Sequence, residues 1–121
     1  MTTTATAKGR AGEDRAVLHL ERAGYVIVGR NVRAGHDEID VVAKDGDYLC
    51  FIEVRRRART VDAMVSITAT KRARIARCAS AYIRDMKPAP FCRFDVVLVQ
   101  ADGCTLVKGA FEATERDLGF T

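Results

Sequence analysis

The sequence predicts an α/β domain, a mixed β-sheet of four to five strands flanked by helices in the order α-β-β-β-α-β-β. Three observations point there. Apolar residues recur at helical spacing in two separated segments, residues 12–23 and about 68–86. Runs rich in β-branched residues lie between and after them, two pairs of which are joined by Asp-Gly turns. A strand, a helix and another strand in succession also call for a parallel neighbour, so the sheet is expected to be mixed with helices on both faces.

Taken in order, residues 1–8 read as a disordered tail and residues 9–121 as one domain. The first helix, residues 12–23, stops at Gly24. The segment YVIVGRNV, residues 25–32, is a strand ending near Asn31. EIDVVA (38–43) and YLCFIEV (48–54) form a hairpin across KDGD, with Asp45-Gly46 as its two-residue turn. Residues 56–67 have no clear period and read as a loop. Thr68 or Thr70 caps a second helix that runs to about Met86, with Ile75, Ala79, Tyr82, Ile83 and Met86 on its buried face, and Pro88 and Pro90 end it. FDVVLVQ (94–100) is an almost wholly apolar strand, turned by Asp102-Gly103 into CTLVKGAF (104–111).

A chain of 121 residues is long enough for one core but not for two. Lys and Arg (20) outnumber Asp and Glu (16), a formal charge of +4 that tilts the protein mildly towards anionic partners. The four cysteines lie 28, 14 and 12 positions apart, which excludes C-x-x-C and zinc-finger spacing; three sit in apolar runs and read as buried free thiols of a reducing compartment. No apolar stretch approaches the ~18 residues of a membrane span. The first ten residues contain no apolar export segment, so a cytoplasmic location and no membrane partner are expected.

The acids are placed by counting. At 100° per residue, Ala16, Val17, Leu20 and Ala23 fall within about 120° of one another, and Glu13 falls inside that arc. A carboxylate there needs a base, a donor or a metal; alternatively it occupies an exposed first turn, favoured by the helix dipole. On the hairpin, alternation puts Glu38, Asp40 and Val42 on one face, and Phe51, Glu53, Arg55 and Arg57 on one face of the next strand. A turn closed by Asp45-Gly46 sets 38 opposite 53 and 40 opposite 51, so Glu38, Asp40 and Glu53 share a face, with Asp40 and Glu53 diagonal at ~7–8 Å. Such acids repel unless a cation neutralises them, and hard oxygen ligands without His or Cys suit Mg²⁺ or Mn²⁺. A wet hairpin face with Arg55 pairing Glu38 or Glu53 gives the same alternation, and a slip of one residue would part the acids.

Together these residues carry a resemblance. The segments GRAGEDRAVLHLERAGYVIVGRNVRAGHDEIDVVAKDGDYLCFIEVRRR, ITATKRARIARCASAYI and CRFDVV, in that order, resemble the YraN family of small bacterial proteins, over roughly residues 9–111. That family in turn resembles the Holliday-junction-resolvase branch of the restriction-endonuclease-like nucleases, which implies a restriction-endonuclease-like fold. The resemblance implies that Glu13 is the acid of the first helix, that Asp40 and Glu53 are the metal-binding Asp and Glu, and that Arg55 stands where those nucleases carry a lysine. Glu38 belongs to the E-I-D motif, and in GHDEID Asp37 replaces a usual glycine. An arginine can hold charge on a phosphate, but its pKa above ~12 makes it a poor base. Lys71, at the start of the second helix, is a further candidate for reaching the site, against the simpler expectation that it faces solvent.

Arg55, Arg56, Arg57 and Arg59 lie at and just beyond the strand end carrying Glu53, and with Lys71 they are the expected contacts to a phosphate backbone. Arg74, Arg77 and Arg84 lie opposite the apolar stripe of their helix, where a solvated basic face is the plainer reading. The absence of tryptophan argues against a stacking platform for single strands. The expectation is a Mg²⁺- or Mn²⁺-dependent endonuclease-like protein hydrolysing phosphodiesters of DNA, branched DNA included, as a homodimer by analogy with junction resolvases. The alternatives are a nucleic-acid-binding module that keeps the fold but has lost catalysis through Arg55, and a protein-interaction domain in which the acids only satisfy arginines.

Overall fold

The computed structural model describes residues 7–113 of the chain. Helix α1 (Ala7–Arg22) leads into a meander of β1 (Val26–Ala34), β2 (Asp37–Asp45) and β3 (Tyr48–Arg56); α2 (Thr60–Ser66) and α3 (Ala69–Ile83) cross over to β4 (Phe91–Gln100), and β5 (Gly103–Phe111) completes the sheet. The five strands stand in sequence order, antiparallel except for β3 and β4, which run parallel. This is the α/β architecture with a mixed sheet that the sequence predicts, with one helix more.

Side chains on neighbouring positions of β3 feed two cores. Phe51 packs with Leu49, Phe94, Val96 and the α3 residues Ile75, Ala76 and Ala79. Cys50 and Ile52 pack with Val41, Ala43, Val97 and the α1 residues Ala16 and Leu20. The sheet is thus covered by α3 on one face and by α1 on the other. Each fully buried aliphatic or aromatic side chain here contributes on the order of 1.5–3 kcal/mol of transfer free energy.

Four expectations are corrected. The segment 56–67 is not all loop, because Thr60–Ser66 is helical. That helix buries Ala63 alone and leaves Val61 and Val65 exposed, so it has no apolar period to read. Its first turn is held by Asp62, which pairs with Arg59 at 2.9 Å. Helix α1 begins earlier than residue 12: Ala7 and Lys8 belong to it, and residues 1–6 of the anticipated tail lie outside the described residues. Helix α3 ends at Ile83, so Met86 is exposed rather than on a buried helical face. Cys50 and Cys78 are buried free thiols as anticipated, but Cys104 is half-buried and Cys92, at the start of β4, is exposed.

The hairpin register also differs by two. Asp45 pairs with Tyr48 and Lys44 with Leu49, and Gly46 takes a φ of +58°. Gly46-Asp47, not Asp45-Gly46, is therefore the loop, with the glycine in the first central position, where a two-residue turn requires the left-handed region. A shift of two preserves the faces, whereas a shift of one would have inverted them.

Candidate functional site: a carboxylate pair under two cations

Continuing the observed register one step beyond Val41 and Ile52 brings Asp40 directly opposite Glu53, closer than the diagonal placement that the other turn implies. Here β2 leaves β3, and the Asp40 side chain takes over from the ladder: its Oδ2 accepts the amide hydrogen of Val54 at 2.8 Å. Glu53 is 4% exposed. Burial, then the charge of Glu53, pushes the Asp40 carboxyl up to about 7, with Glu13 adding to the rise and Lys71 opposing it. Burial also raises Glu53, against the pull of Lys71 and Arg55 and a hydrogen bond from Asp40. Both contacting cations stand on Glu53, and the two carboxyls lie in each other's field.

Glu38 does not join them. Strict alternation would send Ile39 and Val41 into one core, yet Ile39 packs with Val42 and Phe51 while Val41 packs with Leu20 and Ile52. The break lies between the pairs Arg30–Val41 and Val32–Ile39, where Asn31 adopts a φ of +50°. Asparagine tolerates that region better than most residues. Beyond the break Glu38 faces Arg33 at 4.0 Å, and Asp37 meets Arg77 at 3.6 Å. Gly35 carries the positive φ of the β1–β2 turn.

Glu13 projects from α1 with its side chain 15% exposed, 3.7 Å from Arg30 Nη2 and 3.4 Å from the Asn31 amide. It is near enough to act on Asp40 electrostatically but is engaged by β1. Among the described residues, no three of His, Cys, Asp and Glu converge so as to enclose a metal ion. The centre is the pair Asp40–Glu53, with Glu13 behind it.

Two cations meet Glu53 Oε1, Arg55 Nη2 at 3.3 Å and Lys71 Nζ at 3.5 Å. Lys71 thus belongs to the site and does not simply face solvent. The signal was its place in the first turn of α3, where Thr68 caps the helix by accepting the Lys71 amide at 3.2 Å. Of the other arginines, Arg56 lies across Gly12 of α1, where an added Cβ would stand 3.3 Å from its Cδ. Arg56 and Arg57 line a cleft of about 550 Å³ with Gly9, Val99 and Gln100, at the ends of β3 and β4. Arg59, expected on that rim, is drawn to Asp62 in a two-pronged contact.

A second polar cluster escaped the sequence reading. Asp95, wholly buried on β4, accepts from Tyr25 (2.7 Å), Arg93 Nε (2.8 Å), Arg93 Nη2 (2.9 Å) and the Gly109 amide (2.9 Å). Burial would raise its pKa, but Arg93, Gly109 and Tyr25 together hold it below the usual carboxylate range. Arg93 continues to Asp45 at 2.7 Å, which Lys108 also reaches at 3.1 Å. Every lone pair of Asp95 is engaged, so the cluster fastens β1, β4 and β5 together. The available signal was one acid inside an apolar strand with an arginine two residues before it, on the same face.

The profile of the uncharacterised protein family UPF0102 matches residues 12–99. Similar proteins include a UPF0102 protein of Dechloromonas aromatica, 46% identical over 93% of this chain and 94% of the relative. A UPF0102 protein of Symbiobacterium thermophilum is 45% identical over 87% of this chain and 96% of its own. No helix among the described residues is long and apolar enough to cross a membrane.

Proposed function

We propose that this chain, which belongs to the uncharacterised protein family UPF0102 (the YraN family), is a divalent-metal-dependent phosphodiesterase acting on DNA, branched DNA included. The observation that carries the reading is the pairing of the buried Glu53 with the half-buried Asp40, whose carboxyl is held well above its ordinary range, close along β3 to Arg56 and Arg57.

The donor set fits a hard cation. Mg²⁺ usually keeps several waters and takes only one or two carboxylates plus substrate phosphate, so a pair suits it and an all-protein cage is not required. Asp40 and Glu53 would hold the ion, Mg²⁺ or Mn²⁺, with Glu13 acting through the water around it. A bound ion would lower the pKa of a coordinated water and withdraw charge from the phosphoryl oxygens. The protein's own contribution is placement. The Val54 amide fixes Asp40, Arg55 and Lys71 fix Glu53, and β2 and β3 set the spacing between the two acids. In the hydrolysis a water oxygen bonds to phosphorus and one ester bond breaks with its electron pair. The proton that the water loses is matched by the one that the departing oxygen takes up.

Arg56 and Arg57, in the cleft, supply backbone affinity without base readout. Arg59 contributes less, since Asp62 already balances its charge. The test is incubation of the full chain with linear, nicked, flap and four-way-junction DNA in Mg²⁺, Mn²⁺ or EDTA, beside Glu53→Ala. Cleavage that needs the metal and is lost in Glu53→Ala is the expected result. Salt-sensitive binding with no cleavage of any substrate in either metal would mean that the chain is a binding module on a nuclease-like scaffold.

A further inference from the structure

The two cations on Glu53 are not equivalent. Arg55 lies on β3 itself, its side chain 19% exposed, with Nη2 spent on Glu53. Its Nε is buried without a hydrogen-bond partner, so a substrate cannot reach that nitrogen unless the side chain moves. Lys71 arrives from the other side of the site, on α3, and its side chain is 39% exposed. An ammonium carries three donors; the contact to Glu53 uses one and leaves two.

Local energetics does not favour a lysine there. The first turn of a helix carries the positive end of its dipole, which disfavours a cation, and α3 has no acid in that turn to offset it. What balances the charge is Glu53, across the crossover from β3.

We propose that Lys71, rather than Arg55, is the cation that meets the scissile phosphodiester, and that Arg55 is a positioning residue that holds Glu53. This rests on the phosphodiesterase reading above. Lys71 donates to Glu53 and to a non-bridging phosphoryl oxygen at once, tying the substrate to the carboxylate pair. Arg55, anchored and largely enclosed, keeps Glu53 aimed while the substrate enters and leaves.

The proposal is tested on the full chain in two arms. In the first, lysines are acetylated with a limiting amine reagent, with and without saturating four-way-junction DNA in EDTA, and the modified sites are read by mass spectrometry. DNA should lower the modification of Lys71 by about fivefold or more while leaving Lys108, held by Asp45, within twofold. In the second arm, cleavage in Mg²⁺ is measured for Lys71→Met, Lys71→Arg and Arg55→Lys. Lys71→Met should lose about 10²-fold or more in kcat, with a smaller loss of DNA affinity. Lys71→Arg should restore part of the rate, and Arg55→Lys, which alters the support of Glu53 rather than the phosphate contact, should lose less than Lys71→Met.

Should Lys71→Met fail to fold, the acetylation of the native chain decides. DNA that binds without protecting Lys71, or cleavage that survives Lys71→Met, overturns the proposal while leaving the phosphodiesterase reading intact. Protection of Lys71 with no cleavage by the native chain supports the phosphate contact and overturns the phosphodiesterase reading. No binding overturns both.

Discussion

The Asp40 carboxylate accepts the backbone amide hydrogen of Val54 at 2.8 Å, so the residue next to Glu53 is the one that anchors its partner acid. The sheet itself therefore sets the spacing of the carboxylate pair. It does so where β2 parts from β3 and the ordinary ladder bond is replaced by a side chain.

Holding two acids there makes stability depend on pH. The Asp40 carboxyl is raised from its ordinary 3.8 to about 7, so between those values the folded state binds more protons than the unfolded one. The stabilisation is full at acid pH and disappears as pH rises through about 7. Asp40→Asn removes this penalty and can still accept from Val54. In metal-free buffer the variant should be more stable than the native chain at pH 8, by about 1–3 kcal/mol, and nearly equal to it at pH 4.5, measured by urea unfolding.

Asp95 predicts the opposite behaviour. Its pKa is held low by Arg93, Gly109 and Tyr25 against its burial, so its contribution is present above the ordinary carboxylate value and is lost as pH falls. Asp95→Ala leaves the Arg93 guanidinium without its buried partner and should cost about 3–5 kcal/mol at pH 7. DNA affinity, measured below the unfolding transition, should be unchanged. Asp95, although it pairs with Ile52 across β3 and β4, lies with Tyr25 on the α1 face of the sheet, whereas Glu53 shares the α3 face with Phe51.

The rim arginines should separate by their salt dependence. Arg57→Ala removes one phosphate contact and should lower the slope of log K against log salt by about 0.9, equally for all duplex sequences. Arg59→Ala should change that slope by less than half as much, because Arg59 is already paired with Asp62. Equal effects would place the backbone path over α2 instead of along the cleft.

Much of this was legible in the chain. Helical spacing placed Glu13 on the inward side of α1, and strand parity placed Asp40 and Glu53 together even with the turn assigned one residue early, because the resulting shift was two. Glu38 was misplaced because parity counting assumes unbroken pleat, and a single left-handed residue, Asn31, switches the faces of both strands at that point. Helix α2 was invisible because a seven-residue helix that buries one alanine leaves no period. The Asp95 cluster joins Tyr25, Asp45, Arg93 and Lys108 from four strands or their flanks, and no local pattern reports partners so distant in sequence.

That Asp40 and Glu53 are there for a cation is tested most directly by titrating Mn²⁺ into the full chain at pH 8 and following the free ion by electron paramagnetic resonance. The account predicts that the native chain removes one ion per chain from solution and that the double variant Asp40→Asn, Glu53→Gln removes none. Loss of free Mn²⁺ that is the same for both proteins, or absent from both, would contradict it.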